Sequence, residues 1–454
     1  MGIRRSAIDM TAGPILRNVM VFAIPLVLGN ILQQLYTTVD TLVIGAYCGT
    51  ASLAAVGTSS QPVEVVLCIF LGIGAGVSIL VSQFVGSGNR LKARDVSRTA
   101  CAFVWICGVA VSLLGIPAAP LILRFMQVPE DAMDLAVTYV RIVLAGSLGN
   151  IGYNLNAGIL RGMGNSSASL FFLMISCAVN AALDLALVAG LGMDVTGAAL
   201  ATCVSVYISW FVSILYIRKY YPELNYPVFT LKASAAHLKQ ILRIGIPIGL
   251  NHSLYSLGHI ALQTLVNAQG SVFMAGQAVS GRITGLASIA ISGLSSAATT
   301  FSGQNFGAGR YDRLRQGYRR IPLASGVITL AAGLLFLLIR APMLRLFSQD
   351  EAVLMYADRY VTVDLLGHWM FAVFNAILCI VNGVGMVRVT MVVNLLMLWA
   401  VRIPCAYMIR TWFDGTWIML SVPISFAFGM CCMIGFCTFS RKWKEIIQRP
   451  VGTG

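Results

Sequence analysis

Ser82-Gln83-Phe84-Val85-Gly86-Ser87-Gly88 returns 221 residues later as Gly303-Gln304-Asn305-Phe306-Gly307-Ala308-Gly309, and a basic cluster follows each copy. The same spacing, within one residue, joins Ile24-Pro25 to Ile246-Pro247, Gly49 to Gly270, Tyr139-Val140 to Tyr360-Val361 and Gly146 to Gly367. It also joins Asn154 to Asn375 and Gly162-Met163-Gly164 to Gly383-Val384-Gly385. Apolar residues coincide cheaply, but one offset shared by Gln, Gly, Asn, Tyr and Pro positions marks an internal duplication.

Each copy is built from long apolar runs. Of the 454 residues, 58% are hydrophobic and 11% charged, against roughly 25% charged in a soluble domain; the mean hydropathy is +0.82. This excludes a secreted, disordered or nucleic-acid-binding protein. Runs bounded by charges or turn residues fall at 15–45, 51–81, 97–122, 135–158, 167–190 and 195–217, then at 240–266, 272–302, 321–340, 353–380, 389–411 and 416–439. A membrane-crossing helix needs about 20 apolar residues, so these read as spans 1 to 12 of an all-α polytopic membrane protein. Six spans return the chain to its starting side, so the two copies form parallel six-helix lobes. The expected division is a first lobe at 1–219, a cytoplasmic link at 220–237 and a second lobe at 238–454.

Lys and Arg accumulate on the cytoplasmic side of such proteins. With the N-terminus inside, 23 of the 31 basic residues fall on inner segments, among them Arg90, Lys92, Arg94, Arg98, Arg310, Arg313 and Arg315. Only Arg124, Arg340, Arg345, Arg359 and Arg410 fall outside. The expected topology is N-in, C-in, and the net charge of +14 reports topology rather than a polyanionic partner. Met1 to Pro14 does not have the form of a cleavable signal. The 11 cysteines are scattered without a CxxC pair and read as small buried hydrophobes. Gly72, Gly74 and Gly76 lie inside span 2 with no Walker-type Lys-Ser/Thr, so they read as helix-packing positions, not a phosphate loop. No ATP drive, enzymatic reaction, metal or cofactor is expected. Parallel repeats of this kind form a transporter architecture with alternating access, and a repeated channel filter is missing from the sequence.

An ionisable group deep in a span costs at least ~2.5–3.5 kcal/mol and is read as functional. The acids are Asp40 in span 1, Glu64 in span 2, Asp184 in span 5 and Asp364 in span 10. Asp40 lies five residues before Gly45 and Asp184 six before Gly190, so at ~1.5 Å rise both sit about 8 Å below the outer turn. Asn180 shares Asp184's helix face, and Tyr139 and Thr202 enter from the same side. These five form an expected cation-coupling site, for a proton or Na⁺, because desolvation disfavours a charged carboxylate there. The competing reading has Asp40 and Asp184 lock helices together through hydroxyls and amides. Glu64, after Pro62, reads as solvated. The second lobe has Ala261 or Leu262 and Cys405 at the equivalent positions. It offers Asp364 and His368, four apart, as secondary protonation candidates, with His252, His259, Arg282 and Arg402 nearby in spans. Pairing of Asp364 with an arginine is the alternative.

The chain resembles the multidrug and toxic-compound extrusion (MATE) family over essentially its whole length. The resemblance rests on Asp9-Met10-Thr11-Ala12-Gly13-Pro14, Gln34-Leu35-Tyr36 with Val39-Asp40, Ala54-Ala55-Val56-Gly57, Arg161-Gly162-Met163-Gly164 and the two loops quoted first. It implies a monomeric multi-pass protein of the inner (plasma) membrane. Such a protein would expel organic cations or amphipathic drugs in exchange for inward H⁺, with Na⁺ the lesser expectation. The DinF-like branch uses a span 1 aspartate, matched by Asp40, and a network that Tyr139, Asn180, Asp184 and Thr202 match in type and order. The NorM-like branch uses a span 7 glutamate, where this chain has Asn251-His252-Ser253-Leu254-Tyr255. Gln34, Tyr36, Asn154, His252, Tyr255 and Asn375 are the residues expected to face the substrate. The wider superfamily also contains flippases of lipid-linked precursors, the alternative function, although spans 1 and 7 carry basic residues only at their inner ends.

Overall fold

The computed structural model describes residues 7–125, 128 and 130–448; of the helical residues 49–51, 53–55, 58–62, 64–66 and 131–132 only the backbone is described. The side chain of Glu64 and the basic residues Arg4, Arg5 and Arg449 therefore lie outside the described set. Helices α1 (Ile15–Tyr47), α2 (Gly49–Gly86), α3 (Arg90–Phe125), α4 (Glu130–Ala145), α5 (Ser147–Gly162), α6 (Ser166–Asp184) and α7 (Asp194–Tyr220) make up the first half. The second half comprises α8 (Ala235–Asn267), α9 (Ser271–Gly307), α10 (Tyr311–Leu338), α11 (Arg340–Arg345), α12 (Glu351–Gly383), α13 (Val387–Leu395), α14 (Ile403–Trp412), α15 (Ser421–Phe439) and α16 (Arg441–Ile447). Among the described residues there is no strand.

The expected spans map onto these helices six to a half. Span 4 is the pair α4–α5, bent by 44° at residue 146. Span 5 is α6 continued by a π-helix, Leu185–Gly190, and span 11 is α13 joined to α14 by a second π-helix, Leu396–Arg402. Among the described residues ten helices are long and apolar enough to cross a membrane, or eleven with the bent pair. The twelfth, α8, is equally long, but Asn251, His252, Ser253, Ser256 and His259 dilute its middle. Leu113, Leu114 and Leu121 on α3 and Leu323, Val327 and Leu338 on α10 stand exposed. Such apolar faces are stable only against hydrocarbon.

Compactness divides the chain into two units that do not follow its sequence halves. Of the described residues, one unit holds those within 28–250, with 7–8; the other holds 9–27 and 251–448. The first part of α1 thus groups with the second half, and the first part of α8 stays with the first half. Each switch falls within one turn after a helix-internal proline, Pro25 in α1 and Pro247 in α8.

Small residues explain the exchange. In the first unit α2 crosses α8 at Gly72 and Gly76 against Gly245 and Gly249. A methyl on Gly249 would stand 2.8 Å from Ile69 Cα, and one on Gly76 2.9 Å from Gly245 N. In the second unit Gly293, the repeat equivalent of Gly72, brings α9 onto α1, where a methyl would meet Val27 Cγ2 at 2.5 Å. The Gly72-Gly74-Gly76 run is thus a packing surface; Gly74 itself faces the backbone of Asn154 in α5.

The repeated stretch read as a loop is the helical end of α2 and of α9, and in the second copy it is structural too. Gln304 Oε1 accepts from Met10 N–H at 3.0 Å, while Asn305 Nδ2 and Arg313 Nη2 donate to Met10 C=O at 3.0 and 3.2 Å. Asp9 closes a turn by accepting from Thr11 N–H and Oγ1–H at 2.8 and 2.6 Å. The segment 220–237 lies against α3 and α5: Trp105 Nε1 on α3 donates to Val228 C=O at 3.1 Å, and Tyr226 OH donates to Asn156 Oδ1 on α5 at 2.6 Å.

Candidate functional site

In the first unit the five residues of the expected cation site converge, and Tyr36 joins them. Asp184 is fully buried and Asn180 is 1% exposed. With its amide turned so that both ends are satisfied, Asn180 Nδ2 donates to Asp184 Oδ2 at 2.9 Å and Oδ1 accepts from Thr202 N–H at 3.3 Å. The carboxyl groups of Asp40 and Asp184 come within hydrogen-bonding reach of each other. Each keeps one buried oxygen, Oδ1, that accepts no hydrogen bond. Tyr139, nine-tenths buried, lies close enough to sense both charges. Tyr36 OH meets Thr202 Oγ1 at 3.4 Å.

Local structure places these groups. Tyr36 and Asp40 are one turn apart on α1, so they share a face. Asp184 is the last α-helical residue before the π turn. There Leu191 N–H reaches back to Ala186 C=O and Met193 N–H to Leu187 C=O. Single π turns insert an extra residue and recur at functional sites. The outer end of α1 is fixed beside that turn by a cluster of Val43, Ile44, Val188 and Ala198.

Two facing carboxylates offer acceptors only. If both are ionised, like charges sit in contact in a buried place, which costs several kcal/mol; one proton between them turns one into a donor and satisfies the other. A small cation in contact with both achieves the same balance.

The second unit holds a different arrangement. A cavity of about 420 Å³ is lined by Tyr255 and His259 from α8, Ser288 from α9, Tyr360, Asp364 and His368 from α12, Arg402, and Phe426 from α15. Ser288 Oγ donates to Thr284 C=O at 2.9 Å and meets His368 Nε2 at 2.8 Å. A hydroxyl that has spent its hydrogen accepts from Nε2–H, which leaves His368 Nδ1 facing Asp364 Oδ1 at 3.5 Å. Asp364 therefore lies beside His368 rather than an arginine; Arg282 is exposed on α9, and Arg402 forms no ion pair among the described residues.

The residues expected to face substrate do not share one pocket within either unit. Gln34 and His252 are exposed on their helices. Asn154 Nδ2 donates to Asn150 C=O at 2.9 Å, and Asn375 Oδ1 accepts from Cys379 at 3.7 Å, so both bond within their own helices. Tyr36 belongs with the carboxylates, and Tyr255 lines the second cavity. Tyr360 went unremarked as a site residue, although the 221-residue offset from Tyr139 marks it. Among the described residues no two cysteines form a disulfide.

A family model described as MatE matches the chain twice, at 25–186 and 247–408, the copies 222 residues apart at both ends. The chain is 27% identical over 446 residues to YoeA of Bacillus subtilis, which bears the name of a multidrug resistance protein, covering 95% of each. It is 24% identical over 432 residues to Thermotoga maritima NorM, named likewise, covering 93% of this chain and 92% of that one. Over 354 residues it is 25% identical to DNA damage-inducible protein F of Escherichia coli, covering 77% of each. In fold it is similar to a multidrug resistance MATE family transporter solved in an outward-facing conformation, with a TM-score of 0.88 at 22% identity over 99% of this chain and 100% of that one.

Proposed function

Because the chain belongs to the MatE family, with an all-α multi-pass membrane fold, we propose that it is a multidrug efflux antiporter driven by inward protons across the inner (plasma) membrane. The observation that carries this reading is the convergence of Asp40 and Asp184, each with a buried oxygen that accepts no hydrogen bond. A site with one proton too few for its two carboxylates binds and releases a proton, or a cation in its place.

The exchange follows from that balance. With the pair unprotonated, the site is negative and favours an organic cation on the path past it. Uptake of a proton from outside removes half of the pair's negative charge and weakens the hold on the cation. Asp40 lies on α1, the helix that Pro25 interrupts. Pro25 has no N–H to give the carbonyl of Val21. The helix is therefore free to bend three residues before it passes from one compact unit into the other. Change at the carboxylates is in this way tied to change in helix direction. One proton exchanged for one monovalent cation moves no net charge, so the pH difference drives the exchange, about 1.4 kcal/mol and a tenfold drug gradient for each pH unit.

The test is dye exchange in reconstituted vesicles with a pH gradient or a Na⁺ gradient imposed separately. Exchange driven by pH and lost in Asp40→Asn supports the reading. Exchange driven only by Na⁺ moves the coupling to that ion. Exchange driven by neither overturns antiport and turns attention to lipid-linked cargo.

A further inference from the structure

We propose that the cavity of the second unit binds an acidic group, a carboxylate or its equivalent, of an organic molecule on the guanidinium of Arg402. Arg402 is 2% exposed, and it lines the cavity from the end of the π-helix Leu396–Arg402. Pro404 follows two residues later and cannot donate to the carbonyl of Ala400, so the backbone is irregular where the side chain leaves it.

The guanidinium is held but not neutralised. Its Nε donates to Ser425 Oγ at 2.8 Å, its Nη1 donates to Tyr255 OH at 3.3 Å, and its Cζ lies 4.8 Å from the centre of the Phe426 ring. These contacts fix the fork in one orientation. Nη2 is buried and has no hydrogen-bond partner. A buried charge is costly unless it is paired, and Arg402 forms no ion pair among the described residues; Asp364, also on the cavity wall, lies beside His368 Nδ1 at 3.5 Å instead. The guanidinium therefore keeps a buried donor with no acid in contact with it among the described residues. Tyr255, which accepts from Nη1, keeps its own O–H to donate as well. Two donors, one of them a guanidinium, converge on a space of about 420 Å³ walled by Phe371 and Phe426, within the range of small-molecule pockets. That space is far larger than a single inorganic anion needs, and its aromatic wall suits the body of an organic acid.

The inference extends the transport reading by giving an acid-bearing cargo a place to dock. Its test is equilibrium binding, which needs neither a gradient nor Asp40, so its failure and the failure of the coupling scheme are separable. The probes are a rhodamine with a free carboxylate and the methyl ester of the same dye, identical in ring system and differing only in the acid. Fluorescence anisotropy of each is followed with the full chain in detergent. The acid is expected to bind about tenfold more tightly than the ester, the worth of one charge-assisted hydrogen bond. Arg402→Gln should remove that preference, Arg402→Lys should keep most of it, and Asp40→Asn should leave it intact. On the unmodified protein, benzoate should displace the acid dye while benzamide does not, a measurement independent of any variant's folding. Equal or tighter binding of the ester, a preference that survives Arg402→Gln, or benzoate without effect would overturn the proposal.

Discussion

The two units share a tyrosine at the repeat position, Tyr139 and Tyr360, and a π turn in the fifth span, at Leu185–Gly190 and Leu396–Arg402, and carry opposite chemistry beside that turn. In the first unit that turn follows a buried acid, Asp184, which faces a second acid, Asp40. In the second unit it ends on a buried base, Arg402, which faces an open cavity. Duplication supplied the scaffold, and substitution left one half with the acids Asp40 and Asp184 and the other with the buried Arg402.

The sharpest way to break the comparison is to remove one acid. Asp184→Asn should bring pH-driven dye exchange down to the level of empty vesicles, while thermal unfolding in detergent stays within a few degrees. The amide keeps the bond to Asn180 and cannot titrate. Exchange that persists would make the acid pair structural. Next in size, Pro25→Ala restores an N–H for Val21 C=O and should lower turnover several-fold at unchanged dye affinity. Pro247→Ala, at the equivalent place in α8, tests whether the two switch points bend alike, and equal losses would show that they do. Gly249→Leu drives a side chain into Ile69 and should lower the stability of the first unit by about 1–3 kcal/mol. That loss should read as an earlier thermal transition, whereas Gly281→Leu, where a side chain meets open space, should leave it in place. Smallest of all, Tyr139→Phe removes one hydroxyl near the acids and should slow exchange about fivefold, the value of one hydrogen bond of ~1 kcal/mol.

Much of this was legible in the residues. Runs of about 20 apolar residues announce spans whatever packs around them, because the bilayer imposes their length, and the 221-residue offset pairs the halves. The cluster of Asp40, Asp184, Asn180, Tyr139 and Thr202 was legible from depth and helix face. Tyr36 could have been added, since it stands one turn from Asp40. What the sequence hides depends on packing between distant segments. The bend at residue 146, the π turns and the exchange of α1 and α8 between units arise from contacts such as Gly249 on Ile69, which no local pattern records. The state of Arg402 was hidden for the same reason: its Ser425, Tyr255 and Phe426 neighbours lie far from it in the chain.

The central claim is that Asp40 and Asp184 hold a proton that a cationic substrate displaces. Titration calorimetry of an organic cation into the detergent-solubilised protein, repeated in buffers of different ionisation enthalpy, counts protons released on binding. About one proton per substrate in the unmodified chain, and none in Asp40→Asn with Asp184→Asn, is the expected result. No proton released by the unmodified chain, or the same number released by the double variant, would contradict it.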